Sequence, residues 1–379
     1  MTKRLSRLAT LAYILCLLVF VELSLQVFYR ATAGAWLSAR VDVPRYVPNP
    51  HSSYWNKPDM AMAHNTNEFR TMVHTNSQGF RTSSAHEEYS LDKDPRTLRL
   101  MLFGPSFAFG WAVNHEDTFL VRLRDMLRAD AFGAGRAIET INTGVPALGA
   151  AAHLRWYEAV GRHYRPDLAI QIIYGSMDVT EDDPQTVNAD GYLVPRRADA
   201  WRRVAAIAKQ SALVFYGWVV VTRLRSALES GEQVSEIRGA GRSITERDVF
   251  DPAAPDLQPS LRFYSRLREV VQGGGGRLLI VYVPLSYSVH PEDVARWRHL
   301  GVRNIHGQMR FDEDFCNYLT RTGLPCLNVT ADLVRAAQEN KERLYYWLDI
   351  HWTPKGNRVA AETVARYLRQ HPELADPPR

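Results

Sequence analysis

The chain has 379 residues, 46% apolar and 23% charged, and a net charge of +5. That length can bury a large core, as one enlarged domain or a domain with an appendage, and the balance of apolar to charged residues excludes a disordered chain. The positive charges are spread along the sequence with no basic cluster, which argues against a nucleic-acid partner.

At the N-terminus, Lys3, Arg4 and Arg7 (residues 1–7) precede an apolar run over 8–28 that is broken by Glu22 and closed by Arg30. The run is long enough to span a bilayer, and its basic flank predicts that the first residues stay cytoplasmic while the remainder is exported. For a bacterial chain this means a single pass through the inner membrane with the rest in the periplasm. Ala31-Thr32-Ala33 offers an alternative as a signal cleavage site, but the run exceeds a cleaved signal core, and the length favours an anchor. Glu22 lies near the outer end, where it can reach the interface.

Residues 29–96 are rich in Pro, Asn, Ser and His and read as an extended lead-in, with a short hairpin around Asn76-Ser77-Gln78-Gly79-Phe80. From residue 97 to 370, strands alternate with helices, the pattern of a parallel sheet covered on both faces. Strands are predicted over 98–103, 137–142, 168–174, 277–283 and 326–329. Helices are predicted over 118–129, 150–164, 261–272, 312–321 and 355–370, the last with Thr353 as N-cap and Pro354 at its first position. Residues 184–258 interrupt the rhythm. They hold a helical stretch over 201–228, apolar nearly all round in its middle, then a polar tract with Gly231, Gly239 and Gly241. The apolar run is too short for a second span, so it packs on the domain or lies at a membrane surface. Residues 371–379 form a tail.

Of three cysteines, Cys16 lies in the apolar run; Cys316 and Cys326 either form a disulfide in an oxidising compartment or stand as two unpaired thiols. No Cys/His cluster has metal-ligand spacing, HExxH is absent, and nothing points to a cofactor.

The chemistry gathers at strand ends, where open parallel sheets bind ligands. The first strand runs through Gly104-Pro105 into Ser106. The second ends in Asn142-Thr143-Gly144, where a glycine lets backbone approach a ligand and its N–H can face an oxyanion. The third ends in Gly175-Ser176-Met177-Asp178. Before the last helix, Asp349 and His351 stand two apart, and in an extended loop they would share a side. The carboxylate could then orient the imidazole while its far nitrogen reaches Ser106. Each motif alone is ordinary turn or surface. Together and in this order they are not.

The pattern resembles the SGNH (GDSL-like) hydrolase superfamily over roughly residues 97–370, and more closely its bacterial membrane-anchored subgroup. Phe103-Gly104-Pro105-Ser106-Phe107-Ala108-Phe109-Gly110 is similar to the first block of that family, usually G-D-S-F-x-F-G. Asn142-Thr143-Gly144-Val145-Pro146 is similar to the second, and Asp349-Ile350-His351 with Gly356 to the last. Thr75-Asn76-Ser77-Gln78-Gly79-Phe80-Arg81 resembles the lead-in of anchored members. The resemblance implies a flavodoxin-like three-layer α/β/α sandwich around a central parallel sheet. It makes Ser106 the nucleophile, His351 the base and Asp349 its orienter, with the N–H groups of Ser106 and Gly144 as oxyanion donors. Two positions depart from the pattern: Pro105 replaces an Asp outside the triad, and Met177 replaces the Asn that donates to the oxyanion, for which Asn142 is a candidate substitute.

The expected activity is that of a serine ester hydrolase or O-acyltransferase acting on acyl esters of a cell-envelope glycan. Tyr345, Tyr346, Trp347 and Trp352 stand near the triad as sugar-facing or core aromatics. The alternative is a non-catalytic member that binds glycan or assembles a complex, with a degenerate oxyanion hole at Met177.

Overall fold

The computed structural model describes residues 2–40, 45–130, 132–133, 135–175, 185–189, 191–195, 208, 210–229, 249–255, 257–297, 305–339 and 342–375. The first helix runs Thr2–Ala33, and its segment Arg7–Ala33 is long and apolar enough to cross a membrane.

The lead-in is more ordered than the expected extended segment. Strands β1 (Tyr46–Asn49) and β2 (Ser53–Asn56) form an antiparallel hairpin. Strands β3 (Ala61–Asn65), β4 (Arg70–Thr75) and β5 (Arg81–Thr82) form a second small sheet. The predicted turn at 76–80 joins β4 to β5, pairing His74 with Thr82 and Thr75 with Arg81. Asn76 builds that turn: its Oδ1 accepts from the N–H groups of Gln78 (3.1 Å) and Phe80 (3.0 Å). Gly79 has φ +75, and a Cβ there would stand 2.5 Å from the Asn56 carbonyl oxygen, so no other residue fits.

The central sheet holds β6 (Thr97–Phe103), β7 (Ala137–Asn142), β8 (Leu168–Tyr174), β11 (Arg277–Val283) and β12 (Cys326–Asn328), all parallel, in the order β12-β11-β8-β6-β7. Counted by first appearance this is 2-1-3-4-5, the flavodoxin-like order, with its switch point between β6 and β8. Every residue of β8 is buried, as expected of a parallel strand covered on both faces. One face packs on the helices Phe119–Ala129 and Pro354–Gln370. The other packs on Ala150–Ala159, Gln258–Gly273 and Ile305–Arg321. An additional helix, Thr330–Glu339, follows β12. A small hairpin of β9 (Gln185–Val187) and β10 (Leu193–Pro195) and the helix Ala212–Glu229 are the described parts of the insertion. The polar tract with Gly231, Gly239 and Gly241 lies outside the described residues. Cys316 and Cys326 form a disulfide.

The lead-in and the domain share one core. Trp55 of β2 stacks on Trp156 with ring centroids 4.4 Å apart, and Tyr54 and Phe80 join the same apolar cluster as Phe103 and Ile141.

Candidate active site

The first strand delivers its serine through a sharp corner. Gly104 has φ +136, and a Cβ there would lie 2.9 Å from the Ile172 carbonyl oxygen on β8. Pro105 follows with φ −74, and Ser106 opens a single helical turn, Ser106–Phe109, closed by Gly110 in the left-handed region. The Ser106 N–H stands at the start of that turn, where the turn itself offers no acceptor.

The Ser106 hydroxyl meets the imidazole of His351. Nε2 of His351 lies 2.6 Å from Ser106 Oγ, and Nδ1 lies 2.6 Å from Asp349 Oδ1. The three side chains, distant in sequence, thus form one hydrogen-bonded line. With the carboxylate at Nδ1, that nitrogen carries the proton and Nε2 presents a lone pair to the hydroxyl. His351 is held between Phe107 and Trp111, with centroids 5.0 and 5.8 Å away. Its side chain is 16% exposed, so the line is open to the surface and not sealed in the core.

The loop carrying Asp349 and His351 is not extended, which corrects the expectation from its spacing. Ile350 has φ +69, a costly conformation for a β-branched residue. Hydrogen bonds from Tyr346 N to His351 O (2.9 Å) and from Ile350 N to Tyr346 O (3.1 Å) close a tight turn instead. That turn, rather than an extended alternation, puts carboxylate and imidazole in contact. Thr353 then caps the last helix, its Oγ1 accepting from Gly356 N at 3.2 Å.

Two residues absent from the sequence reading support this site. The carboxylate of Glu68, between β3 and β4, accepts from Leu348 N (2.8 Å) and Asp349 N (2.8 Å), tying the triad loop to the lead-in. Arg45 is fully buried with its guanidinium 4.1 Å from the centroid of the Trp111 ring, and none of its side-chain nitrogens has a hydrogen-bond partner among the described residues. Burial pushes its pKa down to about 10, against the pull of Tyr46 and Asp349. For each, the only sequence signal was a lone charged residue in a lead-in of mixed polar and aromatic residues.

The second-strand loop differs from expectation in one respect. Asn142 is buried with both ends of its amide occupied: Oδ1 accepts from Gly144 N (3.0 Å) and Nδ2 donates to the Ala108 carbonyl (2.8 Å). Asn142 therefore holds the loop against the Ser106 turn, with one of its two Nδ2 hydrogens spent on that contact. The bond to Oδ1 takes up the N–H expected of Gly144. Gly144 itself packs so closely on that turn that a Cβ would fall 2.4 Å from Phe109 N. Its carbonyl accepts from Asn56 Nδ2 at 2.9 Å, and Asn56 Nδ2 also reaches Gly79 O at 3.1 Å. Ser176, Met177 and Asp178 lie outside the described residues. Among the described residues no group of three or more His, Cys, Asp or Glu is placed to hold a metal ion.

Residues 244–379 match the family model described as "SGNH hydrolase-like domain, acetyltransferase AlgX". The matched stretch contains Asp349 and His351 and stops short of Ser106. Comparison with curated proteins finds no match. Among solved structures, a member of the lipolytic protein G-D-S-L family from Veillonella parvula is 9% identical, with TM-score 0.38, covering 72% of this chain and 98% of its own. The lipase/acylhydrolase from Enterococcus faecalis is 11% identical, with TM-score 0.37, covering 72% and 96%. An acetyl xylan esterase is 9% identical, with TM-score 0.39, covering 71% and 99%. These structural likenesses are remote. Over residues 244–379 the chain is thus similar to an SGNH hydrolase-like domain, and its sheet has the 2-1-3-4-5 order of the flavodoxin-like sandwich expected above.

Proposed function

We propose that the chain is a serine-dependent acyl-ester enzyme, a hydrolase or O-acyltransferase, with Ser106 as nucleophile, His351 as general base and acid, and Asp349 as the group that orients it. The observation that carries this reading is the position of His351, 2.6 Å from both Ser106 Oγ and Asp349 Oδ1. Ser106 Oγ attacks the acyl carbonyl and its proton passes to His351 Nε2. The tetrahedral intermediate expels the alcohol, which takes that proton, and leaves acyl-Ser106. Water or a sugar hydroxyl then attacks in turn, giving its proton to His351; the second tetrahedral intermediate breaks the acyl–Oγ bond, His351 returns the proton to Ser106 Oγ, and the acyl group leaves on the attacking oxygen. The Ser106 N–H is the oxyanion donor this reading uses.

The family match to an acetyltransferase domain supports acetyl as the acyl group. We read the substrate as an acyl ester of a cell-envelope glycan. The Arg7–Ala33 helix supports an inner-membrane anchor, with the domain on the periplasmic side. The disulfide between Cys316 and Cys326 agrees with an oxidising compartment.

A fluorophosphonate probe is expected to label the full-length protein in detergent, and Ser106→Ala to abolish labelling. Labelling that survives in the alanine variant, or its absence from the wild-type chain, sinks the enzyme reading. The occupied Gly144 N–H and Met177 in place of Asn favour a second reading, a non-catalytic glycan-binding or assembly role, and an unlabelled protein that still binds acylated glycan would establish it.

A further inference from the structure

The helix Ala212–Glu229 is built inside out for a soluble domain. Its inward side carries Ala212, Phe215 and Thr222, which are buried, while Leu213, Val214, Gly217, Val220, Val221 and Leu224 lie exposed. Those positions fall within one stripe at three- and four-residue spacing, so the exposed stripe is continuous and wholly apolar. Val220 is 56% exposed and Leu224 60%. A surface helix normally turns such a stripe to the core.

The stripe continues a larger apolar surface. Glu22 of the first helix accepts from Ser211 Oγ, Ala212 N and Leu213 N, each at 2.8 Å, and so caps the N-terminus of the second helix. Gln26 Nε2 donates to Gln210 O at 2.7 Å. The pairs Tyr29–Phe215 (5.7 Å) and Phe28–Tyr216 (5.9 Å) continue the contact upward. The cap answers the difficulty of Glu22: within an apolar run its charge meets the N–H groups and positive dipole end of another helix. Three Arg–Trp pairs surround this junction, Arg30 with Trp36, Arg223 with Trp347 and Arg296 with Trp218, the residue types that settle at membrane–water interfaces. Above Leu224 the stripe gives way to exposed Arg225.

The same junction reaches the triad. Leu348, one residue before Asp349, is buried in a cluster with Tyr29, Ala33, Leu37, Ala212 and Phe215. Trp347 packs on that cluster, and its carbonyl accepts from Arg296.

We propose that the Leu213–Leu224 stripe is a membrane-contacting foot that inserts into the bilayer crossed by the Thr2–Ala33 helix, and that it holds the Ser106–His351 opening at the lipid surface. The proposal rests on the reading of that first helix as an anchor. The occupant of the stripe is lipid: the stripe is continuous with the spanning surface, is pinned to it through Glu22, and ends where the cations begin. The Ser106 opening then meets its acyl donor or acceptor at the bilayer surface.

The test uses the full-length chain in phosphatidylethanolamine–phosphatidylglycerol vesicles. Cys16, the free cysteine among the described residues, is replaced by serine. Single cysteines are placed at Val214 and Val220 on the stripe, at Leu18 in the first helix and at Arg358, an exposed position of the last helix. Each carries a polarity-sensitive dye, and the vesicles carry lipids with quenchers in their acyl chains. The expected result is blue-shifted emission and strong quenching at positions 214, 220 and 18, with neither at 358. Water-exposed dyes at 214 and 220 alongside a quenched dye at 18 overturn the foot and leave the anchor standing. Dyes at 214 and 220 that are shielded from water yet unquenched by lipid also overturn it, because a protein then covers the stripe. A dye at 18 that lipid does not quench overturns anchor and foot together. Circular dichroism matching that of the unlabelled chain provides the check that each variant is folded.

Discussion

At the residue scale, the triad loop depends on a side chain 280 positions away in sequence. Glu68 accepts two backbone N–H groups, Leu348 and Asp349, and so fixes the peptide from which the Asp349 carboxylate and His351 imidazole project. Bonds of this kind to a charged acceptor contribute about 1.5–3 kcal/mol each, but their effect on rate comes through geometry, since misplacement of a reacting group by about 1 Å costs on the order of 10²-fold. Glu68→Ala is expected to lower kcat by about 10–10² with little change in KM, because Glu68 positions and does not touch substrate. Glu68→Gln, which keeps one carbonyl acceptor, should recover part of the loss. Steady-state kinetics on a simple acetyl ester decide this, and a rise in KM with kcat unchanged would show that Glu68 acts on binding instead. Gly144→Ala tests the other side of the site. The new Cβ would lie 2.4 Å from Phe109 N and 2.8 Å from the Ala108 carbonyl carbon, both backbone of the Ser106 turn. The turn must move, and a loss in kcat with the fold retained by circular dichroism is expected. Unchanged kcat would mean that the turn yields without shifting Ser106.

At the element scale, sequence signals succeeded where an element is defined by its own residues. The strands at 137–142, 168–174 and 277–283 agree with prediction to the residue: the last two are mostly apolar runs stopped by Gly175 and Pro284, and the first ends at Asn142 before the Gly144 turn. The helices at 150, 261 and 312 were placed, but their ends were not: Ala150–Ala159 hands over to a 3-10 turn at Gly161–Tyr164, and the others begin earlier, at Gln258 and Ile305. Apart from the hairpin around 76–80, the lead-in strands escaped notice because they are short, and β1 carries Pro48 within it. Their order comes from packing on the domain, as in Trp55 on Trp156, which no local pattern encodes. Thr330–Glu339 was missed because its fully buried positions are only Thr330 and Leu333. At the site, the sequence marks Ser106 at a strand end and Asp349 and His351 in the loop before the last helix, and the fold brings the three side chains together, whereas Glu68 and Arg45 act through contacts that only the folded chain brings about.

The edge strand β12 shows what a covalent link does for a marginal element. It has three residues and, among the described residues, pairs only with β11, so few ladder bonds hold it. The disulfide ties its first residue, Cys326, to Cys316 on the helix Ile305–Arg321, closing a loop of sequence separation 10. Chain entropy alone gives such a loop about 3 kcal/mol of stabilisation. The double variant Cys316→Ser, Cys326→Ser is expected to lose about 2–3 kcal/mol in urea unfolding, and reductant should shift the wild-type midpoint equally. A wild-type midpoint that reductant leaves in place would argue that the edge is held by packing alone.

At the scale of the whole molecule, burial of ionisable groups sets how stability depends on pH. Four histidines are pushed below their ordinary range. Burial, then the charge of Arg45, takes His64 to about 3, and burial takes His153 to about 3. Burial with nearby Arg81 takes His115 to about 4, and burial with Arg343 takes His290 to about 4. Two acids move the other way: burial raises Asp293 to about 6 against the pull of Arg343, and Asp312 to about 7 against hydrogen bonds from Tyr282 and Gln308. Between roughly pH 4 and 6, unfolding adds a proton to each of these histidines, whose unfolded value is about 6.5, and removes one from each acid, whose unfolded value is about 3.9. The histidines outnumber the acids, so unfolding takes up protons and stability rises with pH across this window. Above about pH 6.5 the histidine contribution is complete, while Asp312 still loses its proton in the folded state up to about 7 and lowers stability slightly. Urea midpoints measured from pH 4 to 8 should therefore climb to a maximum near neutrality and then flatten. Asp312→Asn removes one opposing group and is expected to steepen the climb. A wild-type midpoint that falls between pH 4 and 6, or a shallower climb in the asparagine variant, would show that these buried groups do not govern the acid stability of the chain.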